Sequence, residues 1–147
     1  MITSVLASLS IQTDDPGRKV APVTTALGIE PTRIWEHGDP WPSNGRPDRH
    51  RTHGTWTFEE ERTIGDAEDP HGMASLVRLV QRFEPKAAVL EELSADYRIL
   101  VQMFAMSDSR QAGFWIGSET MRRLGLLHAA FVPDVYLDAL PTDDLVE

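Results

Sequence analysis

Apolar and polar positions change period several times along this chain, and each change marks an element. Ser4 to Gln12 is rich in apolar residues and alternates from Leu9 onward, then meets Asp14-Asp15-Pro16-Gly17, which predicts a half-buried strand closed by a turn. Pro22 fits only the first turn of a helix, where its missing N–H costs nothing. A helix is therefore expected from there to Leu27, with Gly28 as the left-handed stop and Pro31 blocking continuation. Thr32 to His37 reads as a strand with Ile34 and Glu36 on one face and Trp35 and His37 on the other. Thr55 to Phe58 alternates likewise before Glu59-Glu60-Glu61-Arg62, so segments 32–37 and 54–60 predict a hairpin. Between them, residues 38–54 hold four Gly or Asn and three Pro, too broken for either period, which predicts a long loop.

Further on, Met73, Leu76, Val77, Val80 and Phe83 follow the helical spacing and mark an amphipathic helix entered through Asp69-Pro70. Pro85 interrupts it and opens a second piece, Lys86 to Ala95. Tyr97 to Met106 has no breaker and no charge after Arg98, as a central strand or a long hairpin arm requires. Ser107 to Gln111 then turns the chain into Phe114 to Ile116, expected as a short strand. Ser118 is expected to cap the last helix, Gly125 to stop it, and Val135 to Leu137 to form the final strand before a frayed tail, 141–147. The sequence Leu-Gly-aliphatic closes a helical stretch twice, at Leu27-Gly28-Ile29 and Leu124-Gly125-Leu126, each time between strand-like segments. Two β-α-β passages thus flank a long middle. The expected fold is α+β: one two-layer domain over 1–147, core about 4–140, with a mainly antiparallel sheet of about five or six strands and helices on one face.

Composition narrows the function. The chain has 147 residues, 41% of them hydrophobic, enough for one self-sufficient core. Cysteine is absent, which removes disulfides, thiolate metal sites and a cysteine nucleophile. The N-terminal Met1-Ile2-Thr3-Ser4-Val5 lacks the basic and long apolar regions of an export signal, and no long apolar run is present, so a cytoplasmic protein without membrane contact is expected. The formal charge of −9 opposes nucleic-acid phosphates and favours a basic partner. Residues 31–57 differ: Arg33, Arg46, Arg49 and Arg51 against Glu36, Asp39 and Asp48 give +1 there and −10 elsewhere.

Candidate chemistry concentrates in that same stretch. Three of the four tryptophans (Trp35, Trp41, Trp56) and three of the five histidines (His37, His50, His53) lie in it. Trp and Arg dominate the energetics of many interfaces, so Trp41, Arg46, Arg49, Arg51, Trp35 and Trp56 are the expected partner-binding residues; Trp35 and Trp56, on facing strands, equally suit a core. His37, His50 and His53 could supply three nitrogens to an open metal site, although the neighbouring arginines would repel a cation. Solvated loop histidines are the plainer reading. Asp14, Asp15, Asp39 and Asp134 lie near strand ends, where turn and cap roles account for them without acid–base chemistry. No nucleophile elbow or phosphate loop is present, so no catalytic residue and no cofactor is expected.

Leu9-Ser10-Ile11, Leu27-Gly28-Ile29-Glu30-Pro31-Thr32, His37-Gly38-Asp39, Trp56, Phe83-Glu84-Pro85 and Pro133-Asp134-Val135-Tyr136 together resemble an uncharacterised bacterial family catalogued as a domain of unknown function. The resemblance implies a small α+β domain, found in some genomes near secreted-toxin systems, and hence an immunity-type role. The longer Pro/Gly/Arg loop at 40–53 departs from the family pattern. Composition and resemblance converge on a non-enzymatic interaction module, monomer or homodimer, that meets a basic protein; the alternative is a small metal-binding domain or enzyme using His37, His50 and His53.

Overall fold

The computed structural model describes residues 1–42 and 48–138, so Arg46 and the tail 141–147 lie outside the described residues. One mixed, open sheet organises the chain. Its path runs β2 (Arg33–Trp35), β3 (Gly54–Glu59), β1 (Ile2–Thr13), β5 (Arg98–Ser107) and β6 (Ala130–Leu137), and β4 (Thr63–Ile64) pairs with β1 off this path. Among the described residues four of the five strand pairings are antiparallel and only β5 with β6 is parallel. The α+β expectation and the strand number therefore hold.

The alternation of β1 decides which side is filled. Val5, Ala7, Leu9 and Ile11 are fully buried and belong to one core with residues of all four helices: α1 (Ala21–Leu27), α2 (Ala74–Phe83), α3 (Ala87–Leu93) and α4 (Ser118–Gly125). Residues of the other parity, Ser8 and Ser10 with Thr57 and Gln102, form the face without helices, where the Ser10 and Thr57 hydroxyls lie 3.0 Å apart and Ser10 donates to Gln102 at 3.2 Å. A short gap on the edge of β1, between the stretches paired with β3 and β4, is closed from the helix layer. There the Ala7 N–H donates to the buried Ser75 hydroxyl of α2 at 3.0 Å.

Both β-α-β passages exist, with altered members. β1 and β2 each run antiparallel to β3, so they are parallel to one another, joined by α1, with β3 inserted between them. In the second passage α4 joins β5 directly to its parallel neighbour β6. Phe114 to Ile116 is not a strand: it is irregular, and Phe114 and Ile116 pack onto the core by side chain alone. Gly28 takes the expected left-handed conformation (φ 66°) after α1. Gly125 does not; it is the last helical residue of α4, and the left-handed residue is His128 (φ 53°). Ser118 is itself the first helical residue and makes no side-chain cap; Gly117, in extended conformation, occupies the N-cap position. Glu119 in the first turn accepts from Arg122 and Arg123, and the hydrogen-bonded Arg122 guanidinium holds its carboxyl down to about 2.

Helix α1 carries no acidic residue in its own first turn, and β2 supplies the missing charge. The Glu36 carboxylate, just past β2, accepts the N–H groups of Val20 and Ala21 at 2.8 to 3.0 Å. This long-range cap ties the helix start to the hairpin. Glu36→Ala is expected to lower stability by about 1–2 kcal/mol, and Glu36→Gln by less, as read from urea unfolding midpoints; equal, negligible effects would remove the cap from the account.

Candidate functional site

Between β2 and β3, residues 38–41 and 49–51 pair as the two arms of a ribbon with its own ladder. The Trp41 N–H donates to Arg49 O at 2.9 Å, the Arg51 N–H to Asp39 O at 2.7 Å and the Gly38 N–H to Arg51 O at 2.9 Å, and Pro40 bridges His50. Its base is fastened by an Asx contact, the Glu36 N–H donating to the Asp39 carboxylate at 2.8 Å. Proline in residues 40 and 42 hid this pairing, since a broken period says nothing about cross-strand hydrogen bonds. The ribbon starts where β3 lies opposite Thr13 and stands at the free edge formed by β2.

Antiparallel pairing sets the aromatic side chains in order. Arg51 follows two residues after Arg49 on the returning arm, so both project toward the same side as Trp41. The Arg51 guanidinium lies 4.0 Å from the Trp35 ring centre and 3.7 Å from that of Trp41, and Arg49 lies 5.5 Å from Trp41. Each such contact is worth about 0.5–1 kcal/mol at an exposed site. Together they favour one pose of Trp41, which is 38% exposed. Among the described residues neither Trp35 Nε1 nor Arg51 Nε meets an acceptor although both atoms are shielded from solvent. A cleft of about 530 Å³ beside β2 is lined by Trp35, Arg51, Arg33, Asp39 and Pro40. Arg33 is engaged there by Glu59 at 2.6 Å.

Four of the six expected contact residues thus gather as Trp35, Trp41, Arg49 and Arg51. Trp56 does not join them. It pairs with Ile11 and points into the helix-covered core, fully buried, with its Nε1–H donated to Thr24 Oγ1 at 3.0 Å. Register is the reason: Trp35 faces Thr55 while Ile34 faces Trp56, so the two indoles leave the hairpin on opposite faces.

The histidines are held singly. His50 Nδ1 lies 3.0 Å from Gly38 O, His53 Nδ1 lies 3.2 Å from the Thr52 hydroxyl, and His37 is exposed at the ribbon base. Among the described residues no group of three His, Asp or Glu converges in a way that could hold a metal ion, so His37, His50 and His53 do not form one ligand set. Of the expected carboxylates, Asp39 makes the turn described above, Asp15 accepts the Gly17 N–H at 2.8 Å and Asp14 pairs with Arg98 at 3.4 Å. Asp134 lies on β6 opposite Phe104. Sequence reading passed over Glu36 as a cap and Trp115, the remaining tryptophan, which is 73% exposed.

An open-sheet α+β domain with a Trp–Arg ribbon at one sheet edge is the class that fold and site define. The chain belongs to the family described as a domain of unknown function, DUF4279, which matches residues 3–138. No curated protein and no solved structure matches it. Among the described residues no helix is long and apolar enough to cross a membrane.

Proposed function

We propose that this chain is a non-enzymatic protein-interaction module whose partner is a basic protein, with an immunity protein that blocks a toxin as its sharpest form. The observation that carries the reading is the Trp35–Arg51–Trp41 stack on the ribbon. Ordering a large aromatic and a guanidinium before association removes much of the entropy cost of docking them, which is the property of interface anchors. The stack stands beside β2, the edge strand of the sheet. The formal charge of −9 plays a different part: it attracts a basic protein over distances beyond contact and sets the association rate, while the ribbon sets the dissociation rate. The immunity form draws on the motif resemblance to a bacterial family found near toxin systems.

Capture on the immobilised full chain from lysate of its native host is the test. At low salt one basic protein is expected in the eluate, released as ionic strength rises. Trp41→Ala should weaken that complex by about tenfold or more while costing the fold no more than about 1–2 kcal/mol, the worth of its contacts with Arg49 and Arg51. Recovery of no partner at low salt, or an unchanged affinity for the variant, would sink the proposal.

A further inference from the structure

The end of β1 opposite the ribbon carries a second, separate cleft. The ribbon departs from Gly54, opposite Thr13, whereas the other cleft is built on the segment after β4, where Thr63 and Ile64 pair with Val5 and Ser4 and the Gly65 N–H donates to Thr3 O at 2.7 Å. About nine residues of strand, roughly 30 Å, separate the two. This second cleft has a volume of about 340 Å³, within the range of small ligand sites. Met73, Leu76, Val77 and Ile116 make an apolar floor, and Trp115 stands at the wall.

The rim is acidic and its geometry is fixed by the backbone. Asp66 Oδ1 accepts the N–H groups of Glu68 and Asp69 at 2.8 Å each, and Asp69 in turn caps α2 by accepting from Met73 and Ala74 at 2.9 and 2.8 Å. Asp69 is thereby occupied. The Glu68 carboxylate is exposed and makes no hydrogen bond or ion pair among the described residues, and no Lys or Arg lines the cleft. An occupant matched to these walls needs a flexible aliphatic stem for the floor and a positive head at the rim, beside an indole and a carboxylate. Lysine and arginine side chains have that composition, burying their methylenes while the charge stays at the surface. A neutral apolar group would draw no attraction from Glu68, and an anion would be repelled.

We propose that this cleft takes a lysine or arginine side chain of the basic protein partner, its stem over Met73, Leu76 and Val77 and its charged head between Trp115 and Glu68. The inference rests on the reading of a basic partner, and it places that partner's cation on a surface distinct from the ribbon. Titration of the ¹⁵N-labelled full chain with the capped peptide Ala-Leu-Arg-Leu-Ala tests it, alongside peptides carrying norleucine or glutamate in place of the arginine. The arginine peptide should shift the Trp115 indole N–H and the backbone signals of residues 68–73 saturably, and leave the Trp35 and Trp41 indoles in place. Glu68→Gln should weaken binding about fivefold and Trp115→Ala further, with the remaining spectrum unchanged because both side chains are exposed.

Absence of a Trp115 shift at millimolar arginine peptide overturns the proposal. So does equal binding of the norleucine peptide, or indifference to Glu68→Gln. Self-association of the chain abolished by Trp115→Ala would give the cleft to a second copy and overturn it as well. A captured basic partner that is sensitive to Trp41→Ala and indifferent to Trp115→Ala would remove this inference and leave the ribbon's role standing.

Discussion

Trp56→Ala is expected to destabilise the domain by about 3–5 kcal/mol, a large share of the roughly 5–15 kcal/mol available to a domain of this kind. Three separate losses add up at this position. The indole is fully buried and is among the largest wholly enclosed side chains, so its removal takes apolar area out of the core and leaves a cavity that β1 and β3 cannot close. It meets Phe83 edge-on, with ring centres 6.4 Å apart, one of the two aromatic contacts that link β3 to α2, the other being Phe58 with Phe83 at 5.7 Å. Its Nε1–H also satisfies the Thr24 hydroxyl at 3.0 Å, joining β3 to α1. Trp56→Phe retains a ring against Phe83 and loses the hydrogen bond, so its cost should fall well below that of the alanine variant. Urea midpoints at constant m-value measure both. A cost near zero for Trp56→Ala would mean that the indole is not core, and would return it to the partner-binding set.

Trp56 and Trp35 also show why the site was only partly legible. Both occur in short alternating segments, and each suits either a core or an interface when its segment is taken alone. Their assignment depends on the pairing of Ile34 with Trp56 and of Trp35 with Thr55, a register set by the intervening ribbon. The ribbon's pairing is in turn carried by main-chain hydrogen bonds between residues 38–41 and 49–51, which leave no periodic mark on side chains. Concentration of tryptophan, arginine and histidine drew attention to the region. It could not tell an indole that stacks on Arg51 from one that fills the core. The cleft beneath Trp115 was invisible for another reason: its walls come from residues 68–77 and 115–120, far apart in sequence and brought together where α4 packs on α2.

The fold was more open to reading where one neighbour dictates each position. In β1 from Leu9 onward and in α2 one set of positions faces the core, so the periods of two and 3.6 survive in the sequence, while β5 is legible from its unbroken, charge-free run. They fade where one side of an element is unpaired. β6 has a single neighbour and carries Pro133 within it, which an edge strand tolerates because the missing N–H is not required by β5; the proline disguised the five residues before Val135 as something other than strand. Phe114 to Ile116 failed in the opposite sense. Its apolar residues satisfy the core without any backbone pairing, so hydrophobicity alone overstated them as a strand.

Gly72→Ala should be the second large effect, about 2–4 kcal/mol, and its cause is backbone rather than burial of a side chain. Gly72 has φ 71°, a conformation costing an alanine about 1–2 kcal/mol. A Cβ there would stand 2.3 Å from the Thr63 carbonyl oxygen, closer than any real contact, so either β4 or the turn before α2 must move. Neither can move freely. Thr63 is paired with Val5 of the central strand, and the Gly72 N–H donates to Asp69 O at 3.0 Å within the turn whose Asp69 carboxylate caps α2. Strain at one Cβ is thus passed to the sheet or to the helix start. Gly125→Ala provides the contrast, since that glycine is helical, has no positive φ and has nothing within 4 Å of an added Cβ. That variant should gain up to about 0.5–1 kcal/mol. Differing signs for the two substitutions, measured by the same unfolding experiment, would support the close approach at Gly72; a neutral Gly72→Ala would show that the turn can relax, and the rim of the Trp115 cleft with it.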